Sequence, residues 1–393
     1  MSVNSQDVRY VVQALLLGVV LSWFAVSWLR DTRPRIMALL FATYWTIAVS
    51  ILYLWQGDQQ RTFYSNDQVE MFRSIERLFR DGVTFSIESL LGQRYMVSIP
   101  AFAMTYVGIE PLLAYKFIQA LSALILVVVV HSWTKSYGYV TPTWVYGLVI
   151  GPSILLNSIL ALRDTVLAAG VATLFLQRSV TLRALALLFL FGLRPQLGVV
   201  CTIGVISGKF LSLRSRPVLL ACFGLASFGV GARLFQLGAL IISSNSPDVT
   251  PFMSQAGIAR LLASLVGLQI FTVDPDSVSL GLHLLIPLRL LFFDTWLIPI
   301  GFVLALLLSN SAVMAHWRLG GSLFVALTTY FGVASQTDMT SSRQTLPFYA
   351  TAGLVAWVLL IQPKVEERHA ITRPMRPSGQ RKVPVLHHLR AES

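Results

Sequence analysis

The sequence predicts an all-α polytopic membrane protein, and three observations carry that prediction. Hydrophobic residues make up 55% of the 393 positions and charged residues 12%, with a mean hydropathy of +0.68, which is more apolar surface than a soluble domain can hide from water. The apolar residues gather into runs suited to a hydrocarbon core of roughly 30 Å, which takes about 20 residues of helix to cross. The charges, once these runs are threaded through a bilayer, separate by side.

The first run opens at Val11 behind a single cation, Arg9, and reaches Leu29 without a small-residue cleavage site, so it reads as a retained helix. Further runs follow at 36–55, 116–131, 140–161, 165–177, 184–194, 196–211, 217–233, 290–309, 319–335 and 346–361. About eleven spans result by this count. Residues 1–361 then form a single transmembrane domain with outer loops at 56–113 and 234–289. The tail, 362–393, is Pro- and Arg-rich without helical periodicity and is expected to be disordered or to lie on the inner leaflet.

On this thread Arg30, Arg33, Arg35, Lys135, Arg178, Arg183, Lys209, Arg214, Arg216 and Arg318 share a side with the tail cations, seventeen of the thirty Lys and Arg in all. Only Asp31, Glu366, Glu367 and Glu392 of the eighteen acids join them. The positive-inside rule makes that side cytoplasmic, which predicts a multi-pass protein of a cell membrane with its C-terminus inside. A pI near 10.0 is here a matter of short inner loops beside anionic lipid, so membrane lipids rather than nucleic acid are the expected partners. Oligomeric state is not legible. Cys201 and Cys222 both sit in apolar runs, where a small buried side chain is the ordinary role and no disulfide framework forms.

No phosphate-binding glycine loop and no Gly-x-Ser-x-Gly elbow occurs, and the six histidines have no metal-ligand spacing, so no motif names a cofactor or a divalent metal. The long outer loop holds the first chemical signal. Ser65 followed by Gln68 is a capping-box pattern, and Met71, Phe72, Ile75, Leu78 and Phe79 make an apolar stripe at helical spacing. That predicts a helix over 65–82, lying along the membrane surface. Asp67 falls in its first turn and has two readings: support for the helix start, or a catalytic carboxylate. The apolar stretch from Ile99 to Gly108 is too short to cross and reads as a second surface or re-entrant helix.

The second signal is a set of polar breaks between apolar runs, all facing outward on the thread. Arg163-Asp164 is an ion pair at the end of one span, either a snorkelling connection or a functional group at membrane depth. Arg194-Pro195 interrupts another run. Arg289 and Asp294 open the ninth span with His283 just upstream, and Arg343 with Pro347 opens the last. One loop carboxylate plus arginines at the ends of several helices equips an outward polar cavity, and a guanidinium suits a phosphate because it donates two hydrogen bonds at once.

These residues carry a resemblance to the GT-C superfamily of integral-membrane glycosyltransferases, which includes the protein O-mannosyltransferases and the aminoarabinose transferases. Tyr64-Ser65-Asn66-Asp67-Gln68 with its surface helix resembles the family's acidic first outer loop, and Ser98-Ile99-Pro100 through Gly108 its juxtamembrane stretch. Tyr115-Lys116 through Lys135-Ser136-Tyr137-Gly138 looks like its next span and basic inner turn. Pro152 through Arg163-Asp164 is similar to its Pro-containing span with an outer Asp, and Ser341 through Pro347 to its late Arg-containing segment. The resemblance covers about residues 60 to 195 and that late segment, through short motifs.

It implies a sugar donor carried on a polyprenyl phosphate, Asp67 as the catalytic base, Asp164 as a second acidic residue positioning substrate, and Arg163, Arg194, Arg289 and Arg343 as phosphate- or substrate-binding residues. A single displacement would invert the anomeric centre. Two other classes remain open at this point: a lipid-linked oligosaccharide polymerase, and a transporter or flippase of lipid-linked sugars, whose polar groups ordinarily lie near the midplane in two repeated halves.

Overall fold

A computed structural model describes residues 5–56, 66–82, 95–159, 163–210, 217–242, 294–309, 314–335 and 346–360. All regular structure among them is helical. In chain order the helices are α1 (Ser5–Trp28), α2 (Thr32–Gln56), α3 (Asn66–Asp81), α4 (Tyr95–Tyr106), α5 (Pro111–Ser136), α6 (Thr143–Val149) and α7 (Pro152–Ile159). The remainder are α8 (Asp164–Leu176), α9 (Val180–Leu193), α10 (Pro195–Phe210), α11 (Pro217–Ile242), α12 (Asp294–Leu308), α13 (Met314–Ser335) and α14 (Leu346–Leu360).

Three stretches, Val8–Trp28, Thr32–Leu54 and Pro111–Ser136, are long and apolar enough to cross a membrane by length and composition, and several shorter apolar helices accompany them. Their surfaces explain why. Along α1, Ala14, Leu17, Leu21 and Ala25 face the protein while Val12, Leu16, Val19 and Trp23 stay exposed. A helix apolar on both faces needs a lipid solvent on the outer one. The fold is thus that of a helical membrane-embedded protein.

Helix α5 is the central post. Its residues are buried on nearly every side, and α1, α2, α4, α7 and α8 all pack against it. Glu110 starts it as N-cap, its carboxylate accepting from the Leu113 N–H at 2.6 Å with Pro111 in the first turn. It stops at Gly138, whose φ of +74° allows the Gly138 N–H to reach Lys135 O and the Tyr139 N–H to reach Thr134 O, a left-handed turn that glycine adopts without strain. Helix α8 packs beside it and α14 packs on α8, and α13 is clamped between α10 and α11. There Gly204 and Gly208 of α10 meet Ser322 and Ala326, while Gly231 meets the Thr329 carbonyl. Small residues bring these backbones close, the usual means of association where lipid removes the hydrophobic drive.

The run at 140–161 differs from the continuous span read from sequence. It is two short helices, α6 and α7, broken at Ile150-Gly151. Pro152 causes the break, because it has no N–H to continue α6 and fits only the first position of a new helix. Likewise α11 runs on to Ile242, past the position 234 where the sequence starts a loop. Helix α4 is 12 residues long, about 18 Å by helical rise, and packs on α3 and α5, as expected of a segment too short to span.

Contacts sort the helix ends into two groups. At one, Lys135 Nζ and His131 Nε2 lie 3.2 Å and 2.8 Å from Asp31 Oδ2, Arg178 donates to Ser136 O, Tyr139 meets His316 at 2.7 Å, and Ser309 donates to Leu359 O. At the other, Gln13 donates to Gly108 O at 2.8 Å, Tyr53 donates to Glu110 at 2.7 Å, and Arg194 reaches Tyr330. We call these the Asp31 end and the Asp164 end.

Candidate functional site

At the Asp164 end three helices deliver one polar cluster. Asp164 opens α8, where the unpaired amides and dipole of a helix start favour a carboxylate, and it is fully buried. Arg194 caps the C-terminus of α9, just before Pro195 begins α10. Its Nη1 donates to the Tyr330 hydroxyl of α13 at 2.9 Å and lies 3.9 Å from Asp164 Oδ1. Arg163, immediately before α8, donates from Nη1 to Leu193 O at 3.4 Å, which ties it to the residue preceding Arg194.

So the structure brings together Arg163, Asp164 and Arg194, residues that sequence reading drew from two separate breaks. Two arginines and one carboxylate at these helix ends leave a formal excess of one positive charge. Desolvation strengthens the interactions of such charges, and the arginines can hold an anion.

Asp67 lies in the first turn of α3, as its spacing predicts; its side chain is outside the described residues, and so are Arg289, Arg343, His283 and the tail 362–393. Helix α3 buries Ile75 and Leu78 of the expected stripe and exposes Arg73, Glu76, Arg77 and Arg80, while Phe79 is exposed and the side chains of Met71 and Phe72 lie outside the described residues. Phe79 meets Phe102 of α4 edge-on at 4.6 Å. Through α4, whose C-terminal Gly108 carbonyl is held by Gln13, α3 belongs to the Asp164 end.

Sequence reasoning missed three groups. Gln119 of α5 accepts the Val166 N–H at 3.2 Å and thereby caps α8 from another helix. Tyr330 sits in an apolar run where only its hydroxyl distinguishes it. Lys116 is fully buried, with Nζ 5.1 Å from the centre of the Tyr53 ring, whose hydroxyl in turn donates to Glu110. A lysine one and a half turns inside a helix is a legible signal, but hydropathy alone starts the span at that residue and makes it a boundary.

Electrostatics differ at the Asp31 end. The Lys135 hydrogen bond, helped by the charges of Lys135 and His131 against some burial, holds the Asp31 carboxyl below the usual carboxylate range. Since Asp31 can only accept, His131 Nε2 carries the proton toward it, and in the neutral ring Nδ1 accepts from the Tyr146 hydroxyl at 2.8 Å. This cluster ties the α1–α2 turn to α5 and α6.

Among the described residues no three His, Cys, Asp or Glu side chains gather to hold a metal ion. Comparison with protein-family models, with curated proteins and with solved structures finds no match. What the site does must therefore be argued from its own residues.

Proposed function

We propose that this chain is an integral-membrane glycosyltransferase of the GT-C kind, with about eleven crossings, moving a sugar from a polyprenyl-phosphate donor to an extracytoplasmic acceptor. The observation that carries the reading is the convergence of Arg163, Asp164, Arg194 and Tyr330 at the helix ends that also receive α3 and its Asp67. The Asp31 end gathers Arg33, Lys135, Arg178 and Arg318. Under the positive-inside rule it faces the cytoplasm, and the Asp164 end faces out.

In this mechanism the donor phosphate rests against Arg163 and Arg194, with Arg289 and Arg343 as further candidates. The acceptor O–H or N–H gives its proton to Asp67 as its lone pair attacks the anomeric carbon. The bond from that carbon to the phosphate oxygen breaks, the pair goes to the phosphate, and the configuration inverts. The arginines stabilise the leaving charge, an effect commonly worth several kcal/mol, and Asp164 orients them and the substrate.

Undecaprenyl phosphate titrated against nanodisc-embedded protein by native mass spectrometry tests the clamp. Wild-type protein is expected to bind it, and Arg194→Gln to lose roughly tenfold or more in affinity. Equal binding by both would remove the phosphate from this cluster.

A further inference from the structure

Two buried carboxamides flank the start of α8, and each has a polar end to spare. Gln119 is fully buried, and its Oε1 accepts the Val166 N–H. That bond fixes the orientation of the group, since only the oxygen can accept. It leaves Nε2, at the other end of the same carboxamide, without a hydrogen-bond partner among the described residues. Asn157 of α7 is 7% exposed and donates from Nδ2 to Ser153 O at 2.6 Å. Its Oδ1 has no partner among them.

Both groups belong to one locality. Helix α7 packs against α5 and α8, and Thr165 Oγ1 donates to Ile154 O at 3.3 Å, which seats α7 beside the turn that carries Asp164. Proteins seldom bury an unpaired amide donor and an unpaired amide acceptor, because each forfeits its hydration. A ligand that donates and accepts would satisfy both. A hydroxyl does so, donating a hydrogen bond to a carboxylate or amide oxygen and accepting one from an N–H₂. An ionised phosphate only accepts, so it can take the Gln119 N–H₂ but offers nothing to the Asn157 oxygen.

We propose that Gln119, Asn157 and Asp164 form a binding site for the hydroxyls of a polyol. Resting on the glycosyltransferase reading, that polyol is the donor's sugar ring, recognised here while its phosphate faces Arg163 and Arg194. Such a site gives specificity as well as affinity, since a ligand lacking the hydroxyl leaves buried groups unpaired.

Undecaprenyl phosphate, undecaprenyl-phosphoryl mannose and undecaprenyl-phosphoryl glucose, titrated against nanodisc-embedded protein by native mass spectrometry, test the site. At least one sugar-bearing lipid is expected to bind wild-type protein more tightly than bare undecaprenyl phosphate. Gln119→Met removes the carboxamide donor at similar length without adding a charge, while Asn157→Leu deletes the acceptor and leaves the Val166 cap intact. Each should weaken the sugar-bearing lipid roughly fivefold to tenfold, the scale of one lost hydrogen bond, and leave the bare lipid within about twofold. Equal losses for all lipids, no loss for any, or no wild-type preference for sugar overturns the site. If wild-type protein binds none of the three, the polyprenyl-phosphate reading fails on its own. Methyl α-mannoside and methyl β-glucoside then decide the polyol site by saturation-transfer NMR: a wild-type signal lost in both variants upholds it, and an absent or unchanged signal overturns it.

Discussion

Arg194 donates to the Tyr330 hydroxyl at 2.9 Å, joining residues 136 positions apart at the ends of α9 and α13. The bond fixes a long cationic side chain that would otherwise have many rotamers, and a fixed guanidinium binds an anion at lower entropic cost. Tyr330→Phe keeps the ring and its packing on Phe348 and removes the hydroxyl. Undecaprenyl phosphate affinity is expected to fall about threefold to tenfold. Arg194→Lys should fall further, because an ammonium has no planar fork with which to reach two partners. Unchanged binding in Tyr330→Phe would mean that the hydroxyl does not hold Arg194 for the ligand.

At the opposite end, Asp31 supplies a pH dependence with a definite sign. Its folded carboxyl titrates below the ordinary value of an unfolded aspartate, held down by the Lys135 hydrogen bond. The stability it contributes is therefore fully present above that unfolded value and is lost as pH falls through the depressed folded value. Thermal melts of wild type and Asp31→Asn in detergent should differ at neutral pH and converge in strong acid, as Asp31 becomes protonated in the folded state. A gap that persists undiminished in strong acid would contradict the pairing with Lys135 and His131.

Two glycines on α11 make an internal control for helix packing. A Cβ at Gly231 would stand 1.9 Å from the Thr329 carbonyl oxygen, which is backbone and cannot swing away, whereas a Cβ at Gly229 meets nothing within 4 Å. Gly231→Ala should force α11 from α13 and cost about 1–3 kcal/mol, read as a lowered unfolding midpoint. Gly229→Ala should be neutral or stabilising by up to about 1 kcal/mol through helix propensity. Similar midpoints for the two variants would show that these helices are not in close contact.

Much of the helical frame was legible because apolar runs, Gly108, Gly138 and the Pro residues mark their own limits. Asp67 at a helix start and the stripe through Ile75 and Leu78 were legible for the same local reason. The break in 140–161 was misread because the apolar pattern continues through Pro152, and hydropathy alone does not register a missing N–H. Arg163, Asp164 and Arg194 stood out as polar residues among apolar ones. Their mutual approach, and the parts of Tyr330 and Gln119, depend on how α5, α8, α9 and α13 pack, which no single segment encodes.

Orientation has a direct test. With Cys201 and Cys222 replaced by Ala, a cysteine at Ser65 should be labelled by an impermeant thiol reagent on intact cells, and one at Ser378 only after lysis. The reverse pattern would invert the membrane orientation proposed from the charge asymmetry.

Sugar transfer by purified, reconstituted protein, wild type against Asp67→Asn, tests the central claim most directly. Asparagine keeps the size and much of the capping capacity of aspartate at a helix start, so membrane level and unfolding midpoint should be unchanged. With a radiolabelled polyprenyl-phosphate sugar as donor, the rate is predicted to fall by about 10² or more, the scale of a lost general base. Transfer by Asp67→Asn at the wild-type rate would leave Asp67 as a helix-start residue and contradict the mechanism.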